Sequence, residues 1–301
     1  MSEYTPQTQK NPPTGGAQGD QKLTKVALAL AIVAVILAVI ALVLILRNHT
    51  GLLLPPEPVT FQYGGQTLTA VEGVPVNSYD DEGFSVQENG RVTYRQNGHT
   101  AKTGIDVSIY QNEIDWQAVA ADGIDFAIIR LGYRGYGTGG LMMDDRFTQN
   151  IKGALDAGLE VGVYFFSQAI TPEEAEAEAA FVLNAIKGYQ ITYPVAFDWE
   201  PITEGHGART DDLSGDILTQ CAVAFCREVE KAGYVPAVYI NQDLGYLHYD
   251  LRDLSEELVW LAEYKHKPNF YYNFHLWQYT HTGAVDGIEG NVDLNLDLRM
   301  A

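Results

Sequence analysis

Between Gly104 and Ile240 the chain alternates short apolar runs with helix-periodic segments, and no other feature restricts its fold as much. The runs are Gly104 to Ser108, Phe126 to Leu131, Val161 to Phe166, Pro194 to Phe197 and Val235 to Ile240. Between them lie Ile114 to Ala121, Asp144 to Ala157, Pro172 to Ile186 and Asp212 to Lys231, with apolar residues at helical spacing. Runs this short and this apolar read as strands buried on both faces and joined by crossover helices, which gives a parallel sheet. The helix signals agree: Ala157-Gly158 and Ala232-Gly233 place glycine just past two helices, and Thr171-Pro172-Glu173-Glu174 puts proline and acids in a first turn. After Leu244 the rhythm changes to Leu258 to Ala262, Phe274 to Tyr279 and Val292 to Leu294, with no long amphipathic helix between them. Five βα units followed by three bare strands give about eight strands, enough to close an irregular (β/α)5β3 barrel of the α/β class. In such barrels the chemistry sits at the C-terminal strand ends.

The fourth run ends in Asp198-Trp199-Glu200. In an extended segment side chains alternate faces, so Asp198 and Glu200 share one side while Trp199 takes the other. Two carboxyls in one small volume resist joint ionisation, so one is pushed toward its protonated form while the other stays charged. Cleavage of a glycosidic bond requires that division. The same spacing also suits a strand end opening into a solvated acidic loop.

Val26 to Leu46 is an unbroken apolar run. At about 1.5 Å per residue a helix of that length crosses the roughly 30 Å hydrocarbon core of a bilayer. A cleavable signal has a shorter apolar region ending at small residues, whereas this run ends Leu44-Ile45-Leu46-Arg47. An uncleaved anchor is therefore expected. Lys10, Lys22 and Lys25 precede it and Arg47 follows, which places the N-terminus in the cytoplasm and the rest outside the cell. Residues 1–25 are polar and Gln- and Pro-rich, and read as a disordered tail. Residues 47–103 read as an extracellular stalk. A stiff exit with three prolines, Leu52 to Pro58, leads to hairpins turning at Gly64-Gly65 and Asn89-Gly90.

With the tail's three Lys and two acids set aside, the remainder carries 16 basic against 37 acidic residues, a net of −21. Such a surface repels nucleic acid and anionic wall polymers, so a substrate must be captured locally in a cleft, and a neutral glycan fits. Cys221 and Cys226 stand five apart in a helical segment. Their Cα atoms would lie about 8 Å apart on different faces, beyond disulfide reach, so reduced core thiols are expected. The scattered His and Cys offer no metal-ligand spacing, and neither metal nor other cofactor is implied.

Several stretches resemble, in order, the family 25 glycoside hydrolases, lysozymes that act as N-acetylmuramidases. They are Gly104-Ile105-Asp106-Val107-Ser108, Gln111 with Ile114-Asp115-Trp116, Phe126 to Arg130, Gly162 to Ser167, Pro194 to Glu200, Trp277-Gln278-Tyr279 and Gly290 to Asp293. The resemblance covers about residues 104 to 298 and implies an irregular eight-stranded barrel with five helices. It implies that Glu200 is the acid and Asp198 its partner, and that Asp106 and Asp293 complete an acidic cluster. Alone, Asp106 and Asp293 read only as strand-end or loop acids. Tyr164, Tyr239 and Trp277 are candidates to stack on sugar rings from inner faces of strands three, five and seven, with core packing an equal alternative. Arg130 is expected to pair with a carboxylate at the mouth.

These readings give four segments: a cytoplasmic tail 1–25, a membrane helix 26–46, a stalk 47–103 and a catalytic barrel 104–301. The implied activity is hydrolysis of the β-1,4 bond between N-acetylmuramic acid and N-acetylglucosamine in peptidoglycan strands by a monomer. Glu200 serves as general acid and base, and Asp198 assists the substrate's 2-acetamido group. A chitinase-like glycosidase and a non-catalytic wall-binding module are the alternatives. Clustered carboxyls argue against the second, because a binding module has no use for their electrostatic cost.

Overall fold

The computed structural model describes residues 17–50, 57–202 and 207–299, and the chain divides into two compact units, one ending at Ala70 and the other beginning at Val71. The first holds helix α1, Ala17–Thr50, and a hairpin of β1, Thr60–Tyr63, and β2, Gln66–Thr69. Within α1 the stretch Lys25–Leu46 is exposed along its length and is long and apolar enough to cross a membrane. The helix starts at Ala17, so residues 17–25 are helical where the sequence reads as disordered. Extending an existing helix through Ala17, Gln18, Gln21, Lys22 and Leu23 is cheap, because the cost of helix formation lies in the first turn. The rest of the expected tail, 1–16, and residues 51–56 of the expected stiff exit lie outside the described residues.

The second unit opens with a small sheet, β3 Phe84–Val86, β4 Val92–Gln96 and β5 His99–Thr100, before the barrel begins. The barrel region follows in chain order as β6 Lys102–Val107, α2 Trp116–Ala121, β7 Phe126–Arg134, β8 Leu141–Met143, α3 Phe147–Asp156 and β9 Glu160–Ser167. Then come α4 Pro172–Ala185, β10 Val195–Trp199, α5 Gly215–Lys231, β11 Pro236–Asn241, β12 Leu258–Ala262, β13 Leu276–Gly283 and β14 Val292–Asp297. Around the barrel the order is β6-β14-β13-β12-β11-β10-β9-β7, closed by pairing of β7 with β6. Neighbours run parallel except at β14, which is antiparallel to both β13 and β6. The eight expected strands and the four helices read from periodicity are present, with Gly158 and Gly233 at positive φ past α3 and α5, and Thr171 capping α4. The fifth connection differs: Leu244–His248 forms a short π-helical turn in place of a fifth α-helix. Cys221 and Cys226 are buried free thiols on α5.

Inside the barrel Phe126, Ile128, Ala196, Tyr239, Trp260 and Leu276 form the core, while the helices cover the outside of the early strands. The bare strands lack that cover, and the segment after Val71 supplies it. Phe84 meets Trp277 edge to face on its outward side with ring centres 5.4 Å apart, and packs against the tilted ring of Tyr94 at 4.2 Å. Tyr79 packs on Phe274, and the backbone of Asn77 bonds to Tyr271. Residues 71–103, read from sequence as part of a separate stalk, are therefore part of the barrel unit. Apolar surface on strands without helices has to be buried against something, and this segment is what buries it.

Candidate active site

The strand ends bring the four predicted acids to one mouth. Asp106 lies near the end of β6, Asp198 within β10, and Glu200 just beyond β10. Because β14 runs the other way, Asp293 at its start reaches the same end of the barrel and pairs in register with Asp106. All four line one cleft of about 790 Å³, so Asp198 and Glu200 do share a face.

Each acid has its own surroundings. Asp106 Oδ2 accepts from Gln278 Nε2 at 2.7 Å and from Asn295 Nδ2 at 2.8 Å. Burial, and then the charge of Asp293, raise its pKa well above the ordinary carboxyl value despite those bonds. Asp198 is buried and its Oδ1 has no hydrogen-bond partner among the described residues. Burial raises its pKa, followed by the charges of Glu200 and Asp106, while Arg130 acts in the opposite sense. Glu200 is raised by burial first and by the charge of Asp293 second. Like charges have the leading part in the expectation from sequence, but removal from water is the larger effect here. Asp293 is raised to about 6, again by burial, with His281 opposing.

Two side-chain amides, which sequence reasoning did not single out, orient this cluster. Gln278 Oε1 accepts from the hydroxyls of Tyr239 and Tyr264 at 2.9 and 3.1 Å, which turns its amide nitrogen toward Asp106. Asn295 is turned in the same way by Trp260 Nε1, which donates to its Oδ1 at 2.8 Å. Behind Glu200, Gln168 Nε2 donates to the Glu200 carbonyl, and Thr210 in turn donates to Gln168 at 2.6 Å. Arg130 pairs with a mouth carboxylate as expected, Asp144 at 2.7 Å, and lies over the rings of Tyr110 and Tyr133. Gln278 lies in the family-like stretch Trp277-Gln278-Tyr279, but for Asn295 the sequence signal was its parity with Asp293 on β14.

Of the aromatic candidates, Tyr164 and Tyr239 point into the cleft, and Trp277 does not. Tyr239 registers with Trp260 and Trp260 with Leu276, so the inward row continues to Gln278 and leaves Trp277 on the outer face beneath Phe84. Its indole donates to the Glu263 carbonyl at 2.9 Å, and it is a core residue. The inward tryptophan is Trp260, whose edge meets both Tyr164 and Tyr239. Beyond the barrel, β7 folds back on β8 through Gly132, where any Cβ would strike the Met142 carbonyl at 2.2 Å. This hairpin raises Tyr136, Met142 and Met143 along the cleft, joined by Tyr110 and, across the mouth, Tyr264. These five are exposed, whereas the other exposed large apolar residues described in this unit, Val76, Val86, Val235 and Leu247, lie outside the cleft. Apolar side chains left in water around an acidic mouth suit the C–H faces of sugar rings.

Carboxyls gathered on rigid strand ends, with aromatic side chains at the rim, define a site of the glycosidase class. The sequence profile of glycosyl hydrolases family 25 matches residues 105–288, and the chain belongs to that family. The autolytic lysozyme of Clostridium acetobutylicum is 29% identical over 194 residues, which cover 64% of this chain and 54% of that one. The chain thus spans about half the length of that relative. Among solved structures, the modular autolysin LytC of Streptococcus pneumoniae has a TM-score of 0.56 at 27% identity, across 71% of this chain and 52% of LytC. The bacterial lysozyme of Streptomyces coelicolor has a TM-score of 0.54 at 25% identity, across 66% of this chain and 93% of its own.

Proposed function

We propose that this protein is a peptidoglycan muramidase that hydrolyses the β-1,4 bond between N-acetylmuramic acid and N-acetylglucosamine, with Glu200 as the acid. The gathering of Asp198 and Glu200 with Asp106 and Asp293 in one cleft carries the reading furthest. A carboxylate beside the acid is placed to accept a hydrogen bond from a substrate amide N–H. The 2-acetamido group beside the anomeric carbon has such an N–H. Held by Asp198, its oxygen attacks the anomeric carbon while Glu200, whose pKa is raised by burial and by Asp293, gives its proton to the leaving oxygen. Deprotonated Glu200 then takes a proton from water, which opens the cyclic oxazolinium. Asp106 and Asp293 hold the cluster's charge.

Strand geometry favours this internal nucleophile over direct attack by Asp198. Residues two apart in a strand have Cα atoms only about 6.5 Å apart. Both carboxyls therefore approach the sugar from neighbouring directions, whereas a carboxylate nucleophile and its acid belong on opposite faces of the ring. Digestion of purified peptidoglycan by the full-length protein should release new reducing ends at muramic acid with net retention of configuration. A thiazoline mimic of the oxazolinium should inhibit, and glycan lacking the N-acetyl group should resist cleavage. Reducing ends at glucosamine would overturn the muramidase reading. An inverted first product would overturn only the internal nucleophile.

The apolar stretch Lys25–Leu46 supports a membrane anchor with the N-terminal lysines in the cytoplasm and the barrel outside the cell, where wall glycan lies. Protease added to intact cells lacking an outer barrier should remove the barrel and leave a small protected N-terminal fragment. Protection of the whole chain would invert the topology, and a mature chain starting near residue 50 would make the helix a cleaved signal.

A further inference from the structure

A second groove, of about 670 Å³, adjoins the cleft and shares Tyr264 with it. Its far wall is the Asn89-Gly90-Arg91 turn between β3 and β4, and its floor comes from Lys265, His266 and the β13 residues Thr280 to Gly283. The turn precedes the part of the chain that the family profile matches. It is also fixed in place: the Arg91 guanidinium pairs with Asp122 and donates to the Ala284 carbonyl at 3.1 Å.

The chemistry of the two hollows is opposite. Asp106, Asp144, Asp145, Asp198, Glu200 and Asp293 line the cleft, whereas no carboxylate among the described residues lines the groove, in a chain with 39 acidic residues. Cations and neutral donors take their place: Arg91, Lys265, His266, His281 and the Asn89 amide. The acids that pair with the two full cations, Asp122 and Glu263, are not among the lining residues. A hollow rich in donors and free of lining carboxylates on so acidic a surface selects for an anionic group. Its junction with the cleft at Tyr264 lets one ligand reach both, with a glycan in the cleft and an anionic branch of it in the groove.

We propose that the groove holds the carboxylates of the peptide stem borne by the muramic sugar, so that stem-bearing glycan is preferred over bare glycan. The proposal rests on the peptidoglycan reading above. In that substrate the stem branches from the sugar ring itself, and its free carboxylates are the negative charges nearest the cleaved bond.

The test compares glycan strands carrying their stems with the same strands stripped of stems by an amidase and with the freed lactyl carboxyls then converted to methylamides, both given to the full-length protein in detergent. Stem-bearing strands should be cleaved with a kcat/KM about three- to tenfold higher, the range expected for one or two exposed ion pairs. Added salt should shrink that advantage. Asn89→Asp combined with His266→Glu places two carboxylates in the groove at exposed positions, and the first change keeps the side-chain oxygen that accepts from the Arg91 amide. The ratio should then fall to about one or below, with the melting temperature reporting an intact fold. Equal rates in the unsubstituted protein, or an unchanged ratio in the variant, would overturn the groove assignment. Failure to cut either strand would instead overturn the muramidase reading. Binding of the two strand types to Glu200→Gln protein, with and without the groove substitutions, would then decide the groove by itself.

Discussion

Glu200→Gln should lower turnover on peptidoglycan by on the order of a thousandfold or more, because a general acid with no proton to give leaves the departing oxygen as a poor leaving group. The amide keeps the shape of the side chain, so glycan binding should persist. The variant should also be more stable than the parent at pH 7. Folding raises the Glu200 pKa, chiefly by burial. A carboxyl raised in this way contributes stability below its unfolded value and loses it as pH rises through its folded value, so at neutral pH it is a burden on the fold. Thermal melts should therefore separate the two proteins at about pH 7 and superpose them near pH 3, where the parent is protonated in both states. In the parent, activity should fall as pH rises through the titration of the cluster. Asp293→Asn removes the second cause of the raised Glu200 pKa and should move that basic limb to lower pH. Near-parental turnover in Glu200→Gln would end its assignment as the acid. A fall in its stability at pH 7 would end the electrostatic account.

A chain started at residue 71 should melt cooperatively, and one started at Gly104 should not. The shorter chain loses the buried side chains of Phe84, Val92 and Tyr94 and uncovers the outer face of Trp277. Each such side chain contributes roughly 2 kcal/mol by burial, so the loss approaches the 5–15 kcal/mol that holds a typical domain together. Near-ultraviolet circular dichroism and calorimetry on the two chains would measure it. A cooperative transition in the Gly104 chain within a few degrees of the longer one would make residues 71–103 dispensable.

The parallel strands were legible because burial on both faces leaves an apolar run that little else in a chain imitates. Asp198 and Glu200 were legible because strand parity is local. What escaped the sequence depends on partners far along the chain. The reversed direction of β14 is set by its pairing with β13 and β6, and no residue within it encodes that choice. Trp277 read equally well as an inner-face aromatic or as a core residue. One residue of register settles the matter, and Gln278 has the inward place. The role of residues 71–103 was hidden for the same reason. Hairpin turns are local signals, but the surface that a hairpin covers is not.

The bond from Asn295 to Asp106 joins residues 189 positions apart and ties the last strand of the barrel to the first. Asp293 enters the mouth on that same last strand, and no earlier portion of the chain contains the complete acid cluster. A chain emerging N-terminus first from the ribosome therefore brings its four carboxyls together only when β14 slots between β13 and β6, so the mouth is assembled by the closure of the barrel and not by any one segment of it.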